Sequence, residues 1–560
     1  MKRTVIFIIL LFAVILVPVE AGERLPNNKV GISLLQPTPD DIKAAARMVN
    51  GGGGDWGYAT LVIQENDRNK VKWQGLLDEL REARLIPIIR LATRPEGEVW
   101  RRPTPEEAGG WAEFLNSLNW VVKERYVVLF NEPNHASEWG GETDPEGYGK
   151  VALAFAKRLK EVNADFFIML AGFDASAPSY PTQYEDEGVF LRRIVNDELF
   201  RYVDAWASHS YPNPAFSGKP WDAGRKTITG YRWELALLAE LGVTKELPVF
   251  ITETGWDDRN LDRETMARNY VFAFENVWLS DARVRAVTPF VFDYQSSPFL
   301  GFSWKKQGTN EYYPQYEAVL RMEKEAGRPE IREKGQLGID LFSDLVADSS
   351  YRFTLILRNA GQAIWDKEDG YKLALSIDGD IPFEYMFSDI KRVKPQEETD
   401  LTLFVKTGKT AGLHTARISL MKNGDAVATG AQWQFEIVPL PAIRVSVSLF
   451  PKLISSGDGF ELQIFDDKEG IVYKKGGLAL KNGVIDADSI QNIVLGKKYR
   501  IVILRPYYLP RQTYVVFKRE NNIAQFKNMY PLDFNRDGKF GGDDLWAAIT
   551  KPGLLLKLLP

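Results

Sequence analysis

The chain has 560 residues, too many for one ordinary domain, and 45% of them are hydrophobic, ample for packed cores and too many for a disordered protein. A formal charge of −5 gives no overall basic signal for nucleic acid or an anionic membrane. With no cysteine and only three histidines, there is little from which to build a zinc or haem site.

The N-terminus reads MKRTVIFIILLFAVILVPVEAGE. Lys2 and Arg3 precede an apolar run over 5–17, and Val19-Glu20-Ala21 resembles a small-residue cleavage site. The run is short for a spanning helix, so 1–21 is predicted to be a secretory signal peptide, with an uncleaved N-terminal anchor as the alternative. Either way the mature chain is expected to be secreted or at the cell surface, with no transmembrane helix of its own.

From residue 22 to 328 short apolar runs alternate with amphipathic segments. The runs are KVGISLL, YATLVIQ, LIPIIRLA, YVVLFNEPN, FFIMLAGFD, AWASHSYP, PVFITETGW and AVTPFVFDYQ; segments such as WQGLLDELREARL and YGKVALAFAKRLKEV separate them. Runs without alternation predict strands buried on both faces, and the amphipathic segments predict helices covering them. Such a series of β-then-α units predicts a (β/α)8 TIM barrel. The competing doubly wound sheet lacks a Gly-rich dinucleotide fingerprint after its first strand. The glycine run NGGGGDWG at 50–57 precedes the second strand instead of joining a strand to a helix, so it is predicted to be a flexible turn and not a phosphate cradle.

Chemistry in a (β/α)8 barrel sits where the strands end. Glu132 ends the fourth predicted strand in FNEPN, and Glu253 ends the seventh in ITETGW. Strands three apart around an eight-stranded ring have facing ends, so the two carboxylates are expected to oppose one another across the mouth. Glycoside hydrolysis needs such a pair: one carboxyl protonated to donate to the leaving oxygen, the other ionised to attack the sugar or activate water.

On Asn131-Glu132-Pro133, Thr252-Glu253-Thr254-Gly255-Trp256 and His209-Ser210-Tyr211, the first half of the chain resembles the clan A glycoside hydrolases. These TIM-barrel retaining enzymes include cellulases, mannanases, β-xylosidases and β-galactosidases. The resemblance implies that Glu132 is the general acid/base and Glu253 the nucleophile. It further implies that Asn131 holds the sugar 2-hydroxyl, that Tyr211 hydrogen-bonds the nucleophile and that His209 lines the same subsite. Arg90, ending the third strand, is a candidate support for the nucleophile's charge. Where the clan often has a Trp sugar platform after the eighth strand, this chain has Phe292, Asp293 and Tyr294; Trp304 on the following loop is an alternative platform. Sugar faces pack on aromatic rings, so Trp139, Trp256, Tyr294 and Trp304 are expected substrate contacts. His135 is read equally as a loop residue and as a contact.

The pattern changes beyond 328. Segments of period two, YRFTLILRN, YKLALSIDG, LTLFVKTG, HTARISLMKNG and WQFEIV, predict an all-β sandwich over 329–440, and its stretch LRNAGQAIW resembles the Ig-like accessory domains found beside surface glycosidases. After Pro439 and Pro441 a second small β domain is predicted for 441–528. Residues 529–560 contain DFNRDGKFGGDDL. Asp533, Asn535, Asp537, Lys539 (through its carbonyl) and Asp544 fall at positions 1, 3, 5, 7 and 12 of an EF-hand-like loop, with Gly538 at 6. Aspartate at position 12 resembles a dockerin repeat, which implies a structural calcium ion. Dockerins carry two repeats, whereas one is found here, which weakens the case for a cohesin-like scaffold partner.

Together these features predict a secreted retaining hydrolase of a β-linked glycan that needs no catalytic cofactor and has no nucleic-acid partner. The alternatives are a non-catalytic glycan-binding or adhesion protein on a degenerate barrel, and a transglycosylase using the same residues.

Overall fold

The computed structural model describes residues 28–180, 182–450, 455–556 and 558, so the predicted signal peptide lies outside the described residues. The chain divides into two compact units, Met1–Arg332 and Glu333–Pro560.

The first unit contains eight parallel strands: β1 (Gly31–Leu34), β2 (Gly57–Gln64), β3 (Leu85–Ala92), β4 (Arg125–Leu129), β5 (Phe166–Leu170), β6 (Trp206–His209), β7 (Val249–Glu253) and β8 (Val284–Val287). The principal helices between and after them are α1 (Pro39–Val49), α2 (Lys70–Glu82), α3 (Ala108–Asn116), α4 (Pro145–Val162), α5 (Glu187–Ile194), α6 (Gly230–Glu240), α7 (Arg263–Ala273) and α8 (Pro314–Arg321). Strands β1 to β5 pair in chain order, as do β6 to β8. Single parallel bridges, Met169 with Ala205 and Val30 with Val287, join the two sheets at both edges, so the eight strands follow one another in a closed circuit.

The sequence makes these elements for local reasons. Helix α1 starts at a capping box in which the Thr38 side chain accepts from the Asp41 amide and Asp41 reaches back to Thr38, with Pro39 in the first turn. Asn69, Asp144 and Asp262 cap α2, α4 and α7 with their side chains. The strands are almost continuously buried, as parallel strands covered by helices must be. Inside the circuit, Tyr58 of β2, Tyr126 of β4 and Phe250 of β7 pack with ring centroids 5.2–6.0 Å apart. Rings from non-adjacent strands meet this way only in the interior, so the core is filled beneath the strand ends.

The glycine run forms a turn, as expected, and the turn is closely packed. A side chain at Gly52 would strike the Met322 carbonyl at 1.9 Å, and one at Gly57 would strike Val49 at 2.1 Å. The Gly52 carbonyl accepts from the Lys324 amide, and the Gly51 carbonyl accepts from the Lys324 ammonium. The glycines are there because backbone packs on backbone. The eighth strand also ends earlier than its apolar run, at Val287. Residues beyond it still bond to both neighbours, through Phe290 to Thr254 and Phe292 to Ser33.

The second unit is antiparallel for the most part. Two four-stranded sheets come from 335–438, and strand Ser350–Asn359 alternates exposed and buried along its whole length. Phe353 of one sheet meets Trp433 of the other at 5.7 Å, which sets the sheets face to face. The strands from Ile443–Ser446 onward form a three-stranded and a five-stranded sheet, and they share a core with Val346 and Val438. The Tyr351 hydroxyl donates to the Ile493 carbonyl at 3.0 Å across this junction. Among the described residues, no helix is long and apolar enough to cross a membrane.

Candidate active site

Glu132 and Glu253 leave the ends of β4 and β7, and each is set by its backbone. After β4 the chain turns sharply: Phe130 (φ 71°) and Glu132 (φ 30°) both take left-handed conformations uncommon for residues with a side chain. The Glu132 amide donates to the Gly172 carbonyl at 3.1 Å, and its carbonyl accepts from the His135 amide at 2.9 Å. Those bonds hold the turn, and the turn aims the carboxyl. Glu253 is the last residue of β7 and is buried.

The two carboxyls meet over His209. Its Nδ1 lies 2.8 Å from Glu132 Oε1 and 3.9 Å from Glu253 Oε2. One oxygen of each carboxyl and one ring nitrogen of His209 all fall within 4.8 Å of one another. The ring can sit there only because residue 172 is glycine; a Cβ on it would lie 2.1 Å from the imidazole. Burial opposes protonation of His209, but Glu253 and Glu132 outweigh it and raise the imidazole pKa.

Glu253 is held by more groups than Glu132. The Arg90 guanidinium donates to its Oε1 and the Tyr211 hydroxyl to its Oε2 at 3.0 Å. Burial works against its charge, yet His209, Arg90 and Tyr211 overcome that and lower its pKa. An ionised carboxylate fixed by a guanidinium and a phenol is suited to nucleophilic attack. Arg90 also donates to Asn131 Oδ1 at 2.6 Å, and Asn131 Nδ2 donates to Glu138 Oε2 at 3.2 Å. Glu138 is a third carboxyl, on the short helix Ala136–Glu138, whose pKa is raised to about 7 by burial and by Glu132. The trio Glu132, His209 and Glu253 is compact enough to hold a cation, but Arg90 already supplies Glu253 with a positive charge in direct contact.

These groups open into a cavity of about 1410 Å³, and its walls include Arg90, Asn131, Glu132, Tyr211, Glu253 and Tyr294. That space exceeds one drug-sized ligand, for which roughly 300–1,000 Å³ is usual. The expected tryptophan contacts are placed differently. Trp256 and Trp304 have no exposed surface and do not line the cavity; both pack on Tyr270, and the Trp256 indole donates to the Gly218 carbonyl at 2.7 Å. Trp139 borders the cavity but is also fully covered, edge-on to Phe130 and Tyr148. All three rings are covered by neighbouring aromatic side chains, because burying a large ring removes much apolar surface from water. The cavity's exposed aromatic is Phe299, on the loop after β8, beside Tyr294 at 5.4 Å. His135 also borders the cavity, and its Nε2 lies 2.8 Å from Asp174 Oδ2. Phe299 lies in a turn and Glu138 on a single short helical turn, and neither segment is long enough for periodicity to mark which side chain faces a cleft. The one available signal for Glu138 was an acid six residues beyond Glu132 in the same loop.

A second buried acid pair sits behind β6. Glu234 accepts from the Trp206 indole and from Ser208 Oγ, while Glu187 has no exposed surface and lies 3.6 Å from Arg225. Burial raises both carboxyl pKa values, that of Glu234 to about 7.

In the C-terminal loop, Asp533 accepts from the Gly538 amide, Asn535 from that of Asp537 and Asp537 from that of Lys539. Gly538 supplies the sharp turn with φ 80°. The side-chain oxygens at positions 1, 3 and 5 and the turn at 6 suit a calcium loop; Asp544 Oδ1 accepts from the Phe534 and Asn535 amides and Oδ2 from the Gly541 amide, which leaves Oδ2 a further lone pair.

No protein-family model and no curated protein matches the chain. Solved structures similar to it include a family 39 glycoside hydrolase from the gut symbiont Bacteroides cellulosilyticus WH2, at 14% identity and a TM-score of 0.40 over 68% of this chain and 81% of that one. XacCel5A matches at 14% identity and a TM-score of 0.39, over 54% of this chain and 100% of that one. A β-mannanase from Thermomonospora fusca matches at 13% identity and a TM-score of 0.35, over 54% and 92%. Likeness at this level assigns no activity to this chain, and the chemistry rests on the geometry of its own site.

Proposed function

We propose that the first unit is a (β/α)8 barrel and that the protein is a secreted retaining glycoside hydrolase acting on a β-linked glycan. The observation that carries this reading is the opposed pair Glu132 and Glu253, with carboxyl oxygens inside 4.8 Å. Retaining enzymes hold their carboxyls about 5–5.5 Å apart and inverting ones about 6.5–9.5 Å, to admit a water. In the first step Glu253 attacks the anomeric carbon while Glu132 gives its proton to the departing glycosidic oxygen, leaving a glycosyl ester on Glu253. In the second, the Glu132 carboxylate takes a proton from water as that water attacks the anomeric carbon, and Glu253 departs as a carboxylate. Arg90 and Tyr211 stabilise Glu253 whenever it carries charge, and Asn131 is placed to hold a sugar hydroxyl beside it. The same reading includes export through 1–21 and a calcium ion at 533–544, the latter tested by calcium titration of the thermal midpoint.

The test is a panel of 2,4-dinitrophenyl β-glycosides and β-glucan, β-mannan, xylan and galactan, with Glu253→Ala as the blank. Turnover should vanish in the blank, and NMR of the first product formed should show the β-anomer. An α-anomer as first product would sink double displacement. Binding without turnover in either protein would favour a glycan-binding role, and sugar transfer at high acceptor concentration a transglycosylase.

A further inference from the structure

The two-carboxylate reaction leaves Glu138 without a task, although it lines the cavity and is bonded to Asn131, which in turn binds the Arg90 that holds Glu253. Asn131 is gripped at both ends: its Oδ1 accepts from Arg90 and its Nδ2 donates to Glu138. A side-chain amide held by a donor on one side and an acceptor on the other has one orientation, because the flipped form would set oxygen against carboxylate and N–H against guanidinium. One N–H of the amide is used on Glu138. The other is left for a ligand lying beside Glu253, to which Arg90 also binds.

We infer that Glu138 is a positioning residue, which orients the Asn131 amide so that its second N–H meets a hydroxyl of the sugar bound at Glu253. This rests on the glycosidase reading of the site. Glu138 makes no contact with the reacting atoms in this role; it acts through Asn131. Its surroundings suit the task. The charged and titratable groups facing it are Glu132 at the end of β4, Arg90 on β3, Glu253 on β7 and His135 in its own loop. Arg90 is engaged by Glu253 and Asn131, and the hydrogen-bond donor to Glu138 is the Asn131 amide.

Two arms test it, both on the full chain. In the first, the side-chain amide resonances of Asn131 are followed against pH in the ligand-free protein, wild type and Glu138→Gln. The expected result is a shift with a midpoint near the Glu138 pKa of about 7 in wild type, absent in Glu138→Gln. His135 stays present in both proteins, so a response surviving in Glu138→Gln belongs to another group. An Asn131 amide that ignores Glu138 would overturn the inference whether or not any glycoside is cleaved. In the second arm, kcat/KM is compared for 2,4-dinitrophenyl β-D-glucoside and its 2-deoxy analogue. Glu138→Leu should lose about 10- to 100-fold on the hydroxylated substrate, the range for a charge-assisted hydrogen bond, and far less on the deoxy one. Glu138→Gln, which keeps an acceptor, should recover most of that loss. Equal losses on both substrates would mean a merely structural acid and end the proposal. No turnover in wild type, with the amide titrating as expected, would count against the glycosidase reading and not against the clamp.

Discussion

Strand β7 and strand Ser350–Asn359 show two ways of being a strand. The first is buried at every residue and ends in Glu253; the second alternates exposed and buried from end to end. A parallel strand covered by helices has no wet face, so polar chemistry is pushed to its C-terminal end, where the covering stops. An antiparallel strand disposes of its polar side chains all along one face and has no privileged end. The first unit gathers acids that are half-buried, Glu132 and Glu138, or buried, Glu187, Glu234 and Glu253, while Ser350–Asn359 buries Tyr351, Phe353, Leu355 and Leu357. One arrangement carries chemistry at its strand ends and the other carries stability along its faces.

The largest effect should come from the strand end itself. Glu253→Ala is expected to lower kcat/KM on an aryl β-glycoside by roughly 10⁴-fold or more, as loss of a nucleophile does, with little change in thermal midpoint. Comparable activity in the variant would erase the distinction just drawn. Next is a face position in the second unit. Leu357 has no exposed surface, so Leu357→Ala should cost about 2–5 kcal/mol of stability by chemical denaturation while leaving kcat unchanged.

A third change tests whether the strand ends depend on their packing. In Gly172→Ala the new methyl must displace His209, whose ring lies 2.1 Å from the Cβ position, and with it Glu132. A displacement of about 1 Å at such a site costs on the order of 10² in rate; wild-type kcat/KM in this variant would show that His209 positions nothing. The smallest effect concerns the buried acids behind β6. The Glu234 pKa is raised from the ordinary 4.5 to about 7 in the folded state, so the folded protein binds that proton more tightly than the unfolded chain. The stability it contributes is full below 4.5 and is lost as pH rises through 7. Glu234→Gln should therefore flatten the fall of thermal midpoint between these values, and an unchanged slope would place the proton elsewhere.

Much of this was legible in the residues, and the failures are informative. Apolar runs without alternation marked the strands of the first unit because burial on two faces leaves that trace in composition. Glu132 and Glu253 stood out because an acid directly after such a run has nowhere to go but the mouth. The tryptophans misled for a related reason: sequence places Trp256 three residues after Glu253, but side chains so close in a turn point in different directions, and Trp256 is buried away from the cavity. The glycine run showed the same limit. Its freedom of φ was visible, but the Met322 and Lys324 backbone that requires it is some 270 residues away.

What the sequence alone determined was the order of strands and helices, the change to alternating strands near residue 330 and the pair of acids at two strand ends. These follow from periodicity and local turns, which are properties of neighbours in the chain. Only the tertiary structure decided that Arg90 and Tyr211 hold Glu253, that His209 stands between the two carboxyls over Gly172, and that Asn131 is clamped by Arg90 and Glu138. Those are contacts among β3, β4, β6 and β7, and they exist only once the circuit closes. Glu138 separates the two kinds of knowledge: in the sequence it is one more loop acid, and in the fold it is bonded to the amide beside the catalytic pair.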